Sequence, residues 1–387
     1  MPKTLTVHPK DARAIAAGHP WVYRQALSRK AQGVNNGTAV DLTDHDGRFL
    51  GRGIYDPDDS VAVRVWTQDE RVQLDTELIQ ARLAQAVALR EACGIPQLTQ
   101  AYRVVNAEGD RMPGLILDRF GDWLALTIVG KGLQSRLRTL AKAALDAVPA
   151  KGIYYLDERR AELLRGQPAP SELVVDEPSG RFVVDLTEPG KAGLFMDMRE
   201  VRTWLAPRLA GRRFLNLFAH TGAFSGVAAR AGATEVVSVD LSARFLETAE
   251  RNVELCAPGY GAHEMLCDDV FKALNGLAKH KRRFDAILID PPSFSNSKRK
   301  GAFSVKDSYR PAVRAALRLL EPGGLLICAT NWRGIDQSGF LRLLHDGARM
   351  ERKDVRVLTT FGQPADYPVL PVIPESAYLK VMVAALV

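Results

Sequence analysis

Hydrophobic and polar positions along the C-terminal half of the chain follow two alternating periods. Short runs rich in β-branched residues predict strands, and apolar residues spaced three and four apart predict helices. The predicted strands are Phe214–Ala219, Glu235–Asp240, His263–Leu266, Asp285–Ile289 and Leu325–Ala329, with two more strand-like runs at Val355–Thr360 and Leu379–Val387. The predicted helices lie at about 223–231, 243–255, 307–320 and 336–348. This alternation predicts an α/β domain with a doubly wound parallel sheet over residues 186–387.

The first 185 residues show other patterns and divide into two segments. Turn signals such as Asn35-Asn36-Gly37 and Asp46-Gly47 are interspersed with alternating runs such as Thr38–Leu42 and Val61–Trp66. This pattern predicts a small β-barrel or sandwich over residues 1–71. A stretch of helical period, Leu74–Glu91, opens residues 72–185. Strand-like pieces and a second helix follow it, so we expect a mixed α+β domain there.

Composition narrows the class of protein. The sequence is 46% hydrophobic and 25% charged, as in ordinary globular proteins. It has no run of about 18 apolar residues and no signal-peptide pattern, so we expect a cytoplasmic protein without membrane contact. The four cysteines form no C-x-x-C pair and have no histidines at zinc-like spacing, which predicts reduced thiols and no metal site.

Charge favours an anionic partner. The formal net charge is +7, and nucleic acid is the commonest partner of basic proteins. The excess is local, because residues 281–310 hold eight Lys or Arg against three Asp. This segment includes the run DPPSFSNSKRK, which begins at Asp290.

Polar residues follow four consecutive predicted strands where each strand ends. Ligands of open α/β sheets bind outside these carboxyl ends. The stretch Leu215–Gly222, LNLFAHTG, offers the side chains of Asn216 and Thr221 and a glycine that lets backbone approach a ligand. Asp240 at the second tip is placed to hold ribose hydroxyls.

The third and fourth tips carry Asp268–Asp269 and Asp290. A carboxylate at the third could accept from an adenine amino group. Any one of these acids alone is as readily a helix N-cap or a solvated turn. A dinucleotide site is disfavoured, since only Gly222 and Gly226 stand where G-x-G-x-x-G would be needed.

These motifs resemble those of class I S-adenosylmethionine-dependent methyltransferases. Nearly the whole chain resembles one family among them, the 23S rRNA methyltransferases with an N-terminal PUA domain. The resemblance rests on Gly18–Tyr23, Val105–Arg119, Gly193–Arg199, Asp366–Pro368 and Pro374–Lys380, with Tyr367 in place of the usual His. It implies a Rossmann-like C-terminal domain, a PUA-like barrel over 1–71 and a central domain over 72–185 that positions RNA.

The resemblance also implies a cofactor site and a partner. S-adenosylmethionine would be bound by Phe195, Asp197, Arg199, Asn216, Phe218, Ala219, Thr221, Gly222, Asp240, Leu241, Ser242, Asn252, Asp268, Asp269 and Asp290. The partner would be 23S rRNA or an assembling large ribosomal subunit, and a homodimer is left open. RNA contacts would come from Lys298, Arg299, Lys300, Asn331, Trp332 and Arg333.

Two base chemistries are open within this family. Methylation of cytosine C5 needs a thiolate that adds to C6. The family's cytosine enzymes carry that cysteine just after the fifth strand, where anchoring on Gly323-Gly324 places Asn331. Cys328 lies three residues earlier, within the predicted strand, and remains the alternative nucleophile.

Guanine N7 has an in-plane lone pair and needs only placement and electrostatic support. We expect Asp290 to accept from the guanine edge, Phe294 to stack on the base, and Pro291 and Pro292 to stiffen the loop between them. Methylation of guanine N7 is therefore the favoured hypothesis. Cytosine C5 methylation through Cys328 is the alternative, and a non-catalytic RNA-binding assembly factor is a further one.

Overall fold

A computed structural model describes residues 2–28, 33–190, 192–292 and 303–387. The chain forms two compact units. The first contains residues 1–173, 185–192 and 365–376, and the second contains residues 174–184, 193–364 and 377–387. The mixed α/β class expected from the periodicity is confirmed.

The first unit begins with a five-stranded sheet in the order β1-β3-β4-β5-β2. Its strands are β1 (Lys3–Thr6), β2 (Trp21–Tyr23), β3 (Ala39–Thr43), β4 (Phe49–Tyr55) and β5 (Val61–Thr67), and helix α1 (Pro9–Ala16) joins β1 to β2. Strands β1 and β3 are parallel, and the other pairs are antiparallel. Alternating apolar residues such as Val40, Leu42 and Val63 face its core.

A second five-stranded sheet, in the order β10-β9-β8-β7-β6, completes the first unit. Its elements are α2 (Thr76–Ala92), α3 (Ile95–Leu98), β6 (Ala101–Asn106), β7 (Leu115–Phe120), β8 (Trp123–Ile128), α4 (Leu137–Ala147), β9 (Gly152–Leu156) and β10 (Ala161–Gly166). The core of this sheet includes Ile54 and Trp66 of the first sheet, together with Leu83 of α2. The residues on both sides of position 71 therefore share one hydrophobic core.

Residues 365–376 belong to the first unit, although the sequence pattern places them inside the C-terminal domain. The Arg90 guanidinium donates to the carbonyl of Asp366 at 2.7 Å and to the Asp110 carboxylate, and both side chains of the Arg90–Asp110 pair are buried. The Arg103 guanidinium lies 4.4 Å from the ring centre of Tyr367. Because the contacts to Asp366 and Tyr367 join residues more than 250 positions apart, periodicity could not have predicted them.

The second unit holds a seven-stranded sheet in the order β15-β14-β13-β16-β17-β19-β18. A hairpin, β11 (Leu173–Glu177) and β12 (Gly180–Val184), and helix α5 (Arg199–Leu205) precede it. The remaining elements are β13 (Arg213–Leu217), α6 (Ala223–Arg230), β14 (Glu235–Asp240), α7 (Ala243–Cys256), β15 (His263–Cys267), α8 (Val270–Lys279), β16 (Phe284–Ile289), α9 (Val305–Leu319), β17 (Leu320–Thr330), α10 (Gln337–Met350), β18 (Val355–Phe361) and β19 (Lys380–Leu386). The first five strands of this sheet are parallel, and β19 is antiparallel to both of its neighbours.

Helix α8 is missing from the periodicity-based prediction. Its buried residues, Val270, Ala273, Leu274 and Leu277, have the helical spacing, and Asp269 caps its N-terminus. The signal was present in the sequence, where Asp269 was assigned to the cofactor site and its reading as a helix N-cap was the alternative. Among the residues that the structure describes, no helix has the length and hydropathy needed to cross a membrane.

Candidate cofactor and substrate site

The ends of five parallel strands form one edge of the sheet in the second unit. Leu217 of β13 pairs with Val239 of β14 and with Ile289 of β16. Val239 pairs in turn with Leu266 of β15, and Ile289 pairs with Cys328 of β17. The predicted residues that follow these strands therefore lie along this edge, where ligands of open α/β sheets bind.

The loop after β13 has an unusual backbone. Phe218 and His220 have φ angles of 60° and 49°, a left-handed conformation that costs a non-glycine residue about 1–3 kcal/mol. Gly222 has φ of 70°, and a Cβ there would lie 2.4 Å from the Cβ of Ala249 in α7. Only glycine fits at this position, and the strain at the other two must be offset by nearby contacts.

Asp240 supplies one of those contacts. Its Oδ2 accepts from the amide of His220 at 2.9 Å, and its Oδ1 accepts from the amide of Ser242 at 2.9 Å. Both carboxylate oxygens are thus oriented by backbone, and each keeps a further lone pair for a ligand hydroxyl. The Ser242 hydroxyl caps α7 by accepting from the amide of Phe245. The neighbouring Leu241 is 73% exposed and offers an apolar surface beside Asp240.

The ring of His220 lies between two aromatic rings. Its centre is 4.9 Å from that of Phe195 and 4.2 Å from that of Phe245. His220 and Phe245 were not among the predicted site residues. The sequence shows these aromatic residues but not the left-handed backbone that brings them together, so only the structure could find this cluster.

Asn252 is buried, and both polar atoms of its side chain bond protein backbone, which does not support its predicted cofactor contact. Its Oδ1 accepts from the amide of Val183 at 2.8 Å, and its Nδ2 donates to the carbonyl of Thr221 at 2.7 Å. The hydroxyl of Thr221 donates to the carbonyl of Gly193. Asn252 and Thr221 therefore fix the loop after β13 by hydrogen bonds to protein backbone.

Two further predicted cofactor residues also point into the protein. Asn216 Nδ2 donates to the hydroxyl of Ser225, which pairs with Ser238 at 2.7 Å, and Ser238 pairs with His263 Nε2 at 2.8 Å. This hydrogen-bond network connects β13, β14 and β15 with α6, and burial lowers the pKa of His263. Arg199 is 1% exposed, so its guanidinium lies in the interior of the second unit.

The acids of the third tip have different roles. Asp269 Oδ1 accepts from the amides of Phe271 and Lys272, as an N-cap does, so its predicted cofactor contact is replaced by a helix cap. About half of the Asp268 side chain is exposed, and its Oδ1 lies 3.7 Å from the Nζ of Lys272. Asp268 is thus the acid of this pair that can reach a ligand. Asp197, on the other side of the loop after β13, accepts from the hydroxyl of Tyr378 at 2.7 Å.

The substrate side of the edge begins at the end of β16. Asp290 is half-buried, Pro291 is buried and Pro292 is exposed. Phe294, Lys298, Arg299 and Lys300, predicted for base stacking and RNA binding, lie outside the described residues.

Residues 331–333 follow the neighbouring strand β17. The Oδ1 of Asn331 is buried and has no hydrogen-bond partner within the described part of the chain. Trp332 is half-buried against the core, and a Cβ at Gly334 would lie 2.3 Å from its indole. Packing thus accounts for Trp332 and weakens its predicted RNA contact, whereas Arg333 is exposed.

The environment of Cys328 does not favour a nucleophilic thiol. It is fully buried in β17, and burial raises the pKa of its thiol to about 12. At neutral pH it is a protonated core residue without access to a base. Both features count against the alternative in which Cys328 is the nucleophile, and the modified base stays a prediction.

The chain matches two known families. Residues 146–383, more than half of the chain, match S-adenosylmethionine-dependent methyltransferases, and residues 5–68 match PUA-like domains. Two relatives, from Salmonella typhimurium and Salmonella typhi, are both named ribosomal RNA large subunit methyltransferase I. Each is 32% identical over 378 residues, which cover 95% of this chain and 94% of the relative.

Solved structures give the same result. A protein from Streptococcus mutans described as a SAM-dependent methyltransferase is 26% identical with a TM-score of 0.89, over 99% of this chain and 100% of that one. A methyltransferase named SMU.776, in complex with S-adenosylhomocysteine, is 26% identical with a TM-score of 0.90 over the same shares. A SAM-dependent methyltransferase from Agrobacterium tumefaciens, 19% identical with a TM-score of 0.56 over 74% of this chain and 90% of that one, shares the fold.

Proposed function

The chain belongs to the family of S-adenosylmethionine-dependent methyltransferases, and from this premise we propose that it methylates guanine N7 in large-subunit ribosomal RNA. S-adenosylmethionine supplies the methyl group. In this proposal Asp240, Asp268 and the loop after β13 hold it, which is supported by the orientation of Asp240 and the exposure of Asp268. An rRNA substrate implies a cytoplasmic location.

An RNA substrate is supported by the relatives and by charge. Both Salmonella relatives are named for ribosomal RNA of the large subunit and match over nearly their whole length. The PUA-like match at residues 5–68 and the net charge of +7 agree with an RNA partner. We propose 23S rRNA, free or within an assembling subunit, as that partner.

The single observation that carries the choice of guanine is the identity of the residues at the end of β17. A cytosine enzyme needs a thiolate there, but Asn331 occupies the position and the thiol of Cys328 is buried. An amide oxygen such as Asn331 Oδ1 can accept from an N–H group on the guanine edge. It is buried and unpaired among the described residues, and it would gain a partner when a base binds.

The remaining chemistry needs few groups. Guanine N7 carries its own lone pair and loses no proton, so catalysis consists of placing N7 in line with the methyl group and holding the base. Because β16 and β17 are paired neighbours, Asp290 and Asn331 follow adjacent strand ends and can hold one base together. Pro291 and Pro292 lack amide donors and restrict φ, which limits the movement of Asp290.

Nucleoside mass spectrometry tests this proposal. We expect rRNA from a deletion strain to lack one 7-methylguanosine, and expect the purified protein with S-adenosylmethionine to restore it. An Asp290→Ala variant serves as the control and should not restore it. Loss of a 5-methylcytidine instead would contradict the guanine assignment, and unchanged nucleosides would favour an assembly factor.

A further inference from the structure

Tyr309 of α9 bridges the two strand ends that carry the proposed base-binding residues. Its hydroxyl lies 3.1 Å from the carbonyl oxygen of Ile289 and 2.9 Å from that of Ala329. Ile289 is the residue before Asp290, and Ala329 stands two positions before Asn331. One phenol therefore contacts the backbone of β16 and β17 at the point where both strands end.

The position of this hydroxyl is fixed by packing. Tyr309 is fully buried, and its ring centre lies 5.0 Å from that of Phe340 and 6.1 Å from that of Phe303, both in edge-on geometry. Burial raises the pKa of the Tyr309 hydroxyl well above 10, so it stays protonated and remains a donor. The hydroxyl donates to two backbone carbonyls, one on each of these strands.

Packing alone does not require the hydroxyl. A phenylalanine would fill the same space in this aromatic cluster without placing a polar atom in the core, where an unpaired hydroxyl is unfavourable. The hydroxyl contributes a link between two loops. Those loops begin at Asp290 and at Asn331, the two residues proposed to hold the base.

We propose that Tyr309 is a positioning residue for methyl transfer, which keeps the ends of β16 and β17 at a fixed separation. The proposal rests on the function proposed above, since it assumes that Asp290 and Asn331 hold the base. A displacement of about 1 Å between reacting groups can lower turnover about a hundredfold. Loss of the two hydrogen bonds of Tyr309 should therefore lower kcat. Cofactor affinity should change little, because Asp240 and Asp268 stand at the ends of two other strands, β14 and β15.

Tyr309→Phe tests the proposal, with Tyr260→Phe as the matched control. The hydroxyl of Tyr260 also donates to a backbone carbonyl, that of Ala233 at 2.9 Å, but it lies in the loop that precedes β15, away from the strand ends. For both variants, tritiated methyl incorporation into rRNA gives kcat and the KM for S-adenosylmethionine. Calorimetry with S-adenosylhomocysteine gives Kd and the number of folded sites.

We expect Tyr309→Phe to lower kcat per folded site about tenfold or more, with Kd within about twofold of wild type. Tyr260→Phe should leave kcat within about twofold. The proposal is overturned if Tyr309→Phe turns over like wild type, or if both variants lose kcat equally. It is also overturned if Kd rises in step with the loss of kcat.

Hydrogen exchange provides a second measurement that needs no turnover. In Tyr309→Phe, amides of residues 286–290 and 326–334 should exchange faster than in Tyr260→Phe, while β13 and β14 stay protected. Equal exchange rates in the two variants over these residues would contradict the proposal that Tyr309 links the ends of β16 and β17. Total methyl incorporation does not depend on which base is modified, so nucleoside analysis of the wild-type product reports failure of the guanine assignment separately.

Discussion

The side-chain amide of Asn252 donates to the carbonyl oxygen of Thr221 at 2.7 Å and so ties α7 to the loop after β13. The same side chain accepts from the amide of Val183 at 2.8 Å, and it is 1% exposed. Both ends of one amide are thus used to hold backbone. Asn252 acts on the cofactor site through the loop, and its substitution should reveal how much this loop contributes to binding.

Asn252→Asp is predicted to weaken binding of S-adenosylhomocysteine by about tenfold. The carboxylate is isosteric but has no donor for the Thr221 carbonyl, and leaving a buried polar group unpaired costs about 1–3 kcal/mol. Calorimetry measures the affinity, and thermal unfolding measures the stability. Asn275→Asp, on the exposed face of α8, is the matched control and should change neither. Unchanged affinity in Asn252→Asp would show that the loop holds its shape without this amide.

The two acids at the third strand tip should respond differently to the same substitution. Asp268→Asn is predicted to reduce S-adenosylhomocysteine affinity severalfold, because it removes the exposed carboxylate at this strand end. Asp269→Asn is predicted to have little effect, because Asn is as good an N-cap as Asp. Calorimetry on both variants shows which of the two acids contacts the cofactor and which only caps the helix. A larger effect at Asp269 would restore the cofactor role that the sequence suggested.

Cys328→Ala is predicted to keep methylating the same nucleoside at close to the wild-type rate. The thiol is buried and protonated, so its loss should remove only packing, at about 1 kcal/mol of stability. Nucleoside mass spectrometry of the product and urea unfolding measure the two effects. Abolished methylation by a folded Cys328→Ala protein is the result that would bring back a thiol mechanism.

Asn331→Ala is predicted to lower turnover about tenfold with an unchanged affinity for S-adenosylhomocysteine. The substitution removes the buried oxygen proposed to accept from the base. Loss of a hydrogen bond of this kind costs about 1–3 kcal/mol, which here would be added to the activation free energy. Arg333→Ala, two positions further and exposed, is the control for general loss of RNA affinity. It should raise the KM for rRNA and leave kcat unchanged. The opposite pattern would assign base recognition to another residue.

Hydrophobic patterns of period two and period 3.6 predicted the parallel sheet. They could not predict the side-chain contacts at the candidate site, because these contacts depend on residues that are distant in sequence. The strand ends at Asp240 and Asp290 could be located because polar residues interrupt apolar runs. The inward orientation of Asn216 could not, since it depends on Ser225 and Ser238 from neighbouring elements. The sequence also did not predict the backbone conformation at His220, where a non-glycine residue adopts a left-handed φ.

The final prediction concerns pH and His263. Burial lowers the pKa of this residue below its ordinary value of 6.5, so between the two pKa values the unfolded chain binds the proton and the folded chain does not. Stability should therefore fall as pH drops below about 6.5 and level off below the folded pKa. His263→Gln, which can still bond Ser238, should flatten the urea midpoint between pH 7.5 and 5.5, whereas His345→Gln on the exposed face of α10 should not. If His263→Gln keeps the wild-type slope, the proton that destabilises the fold binds elsewhere.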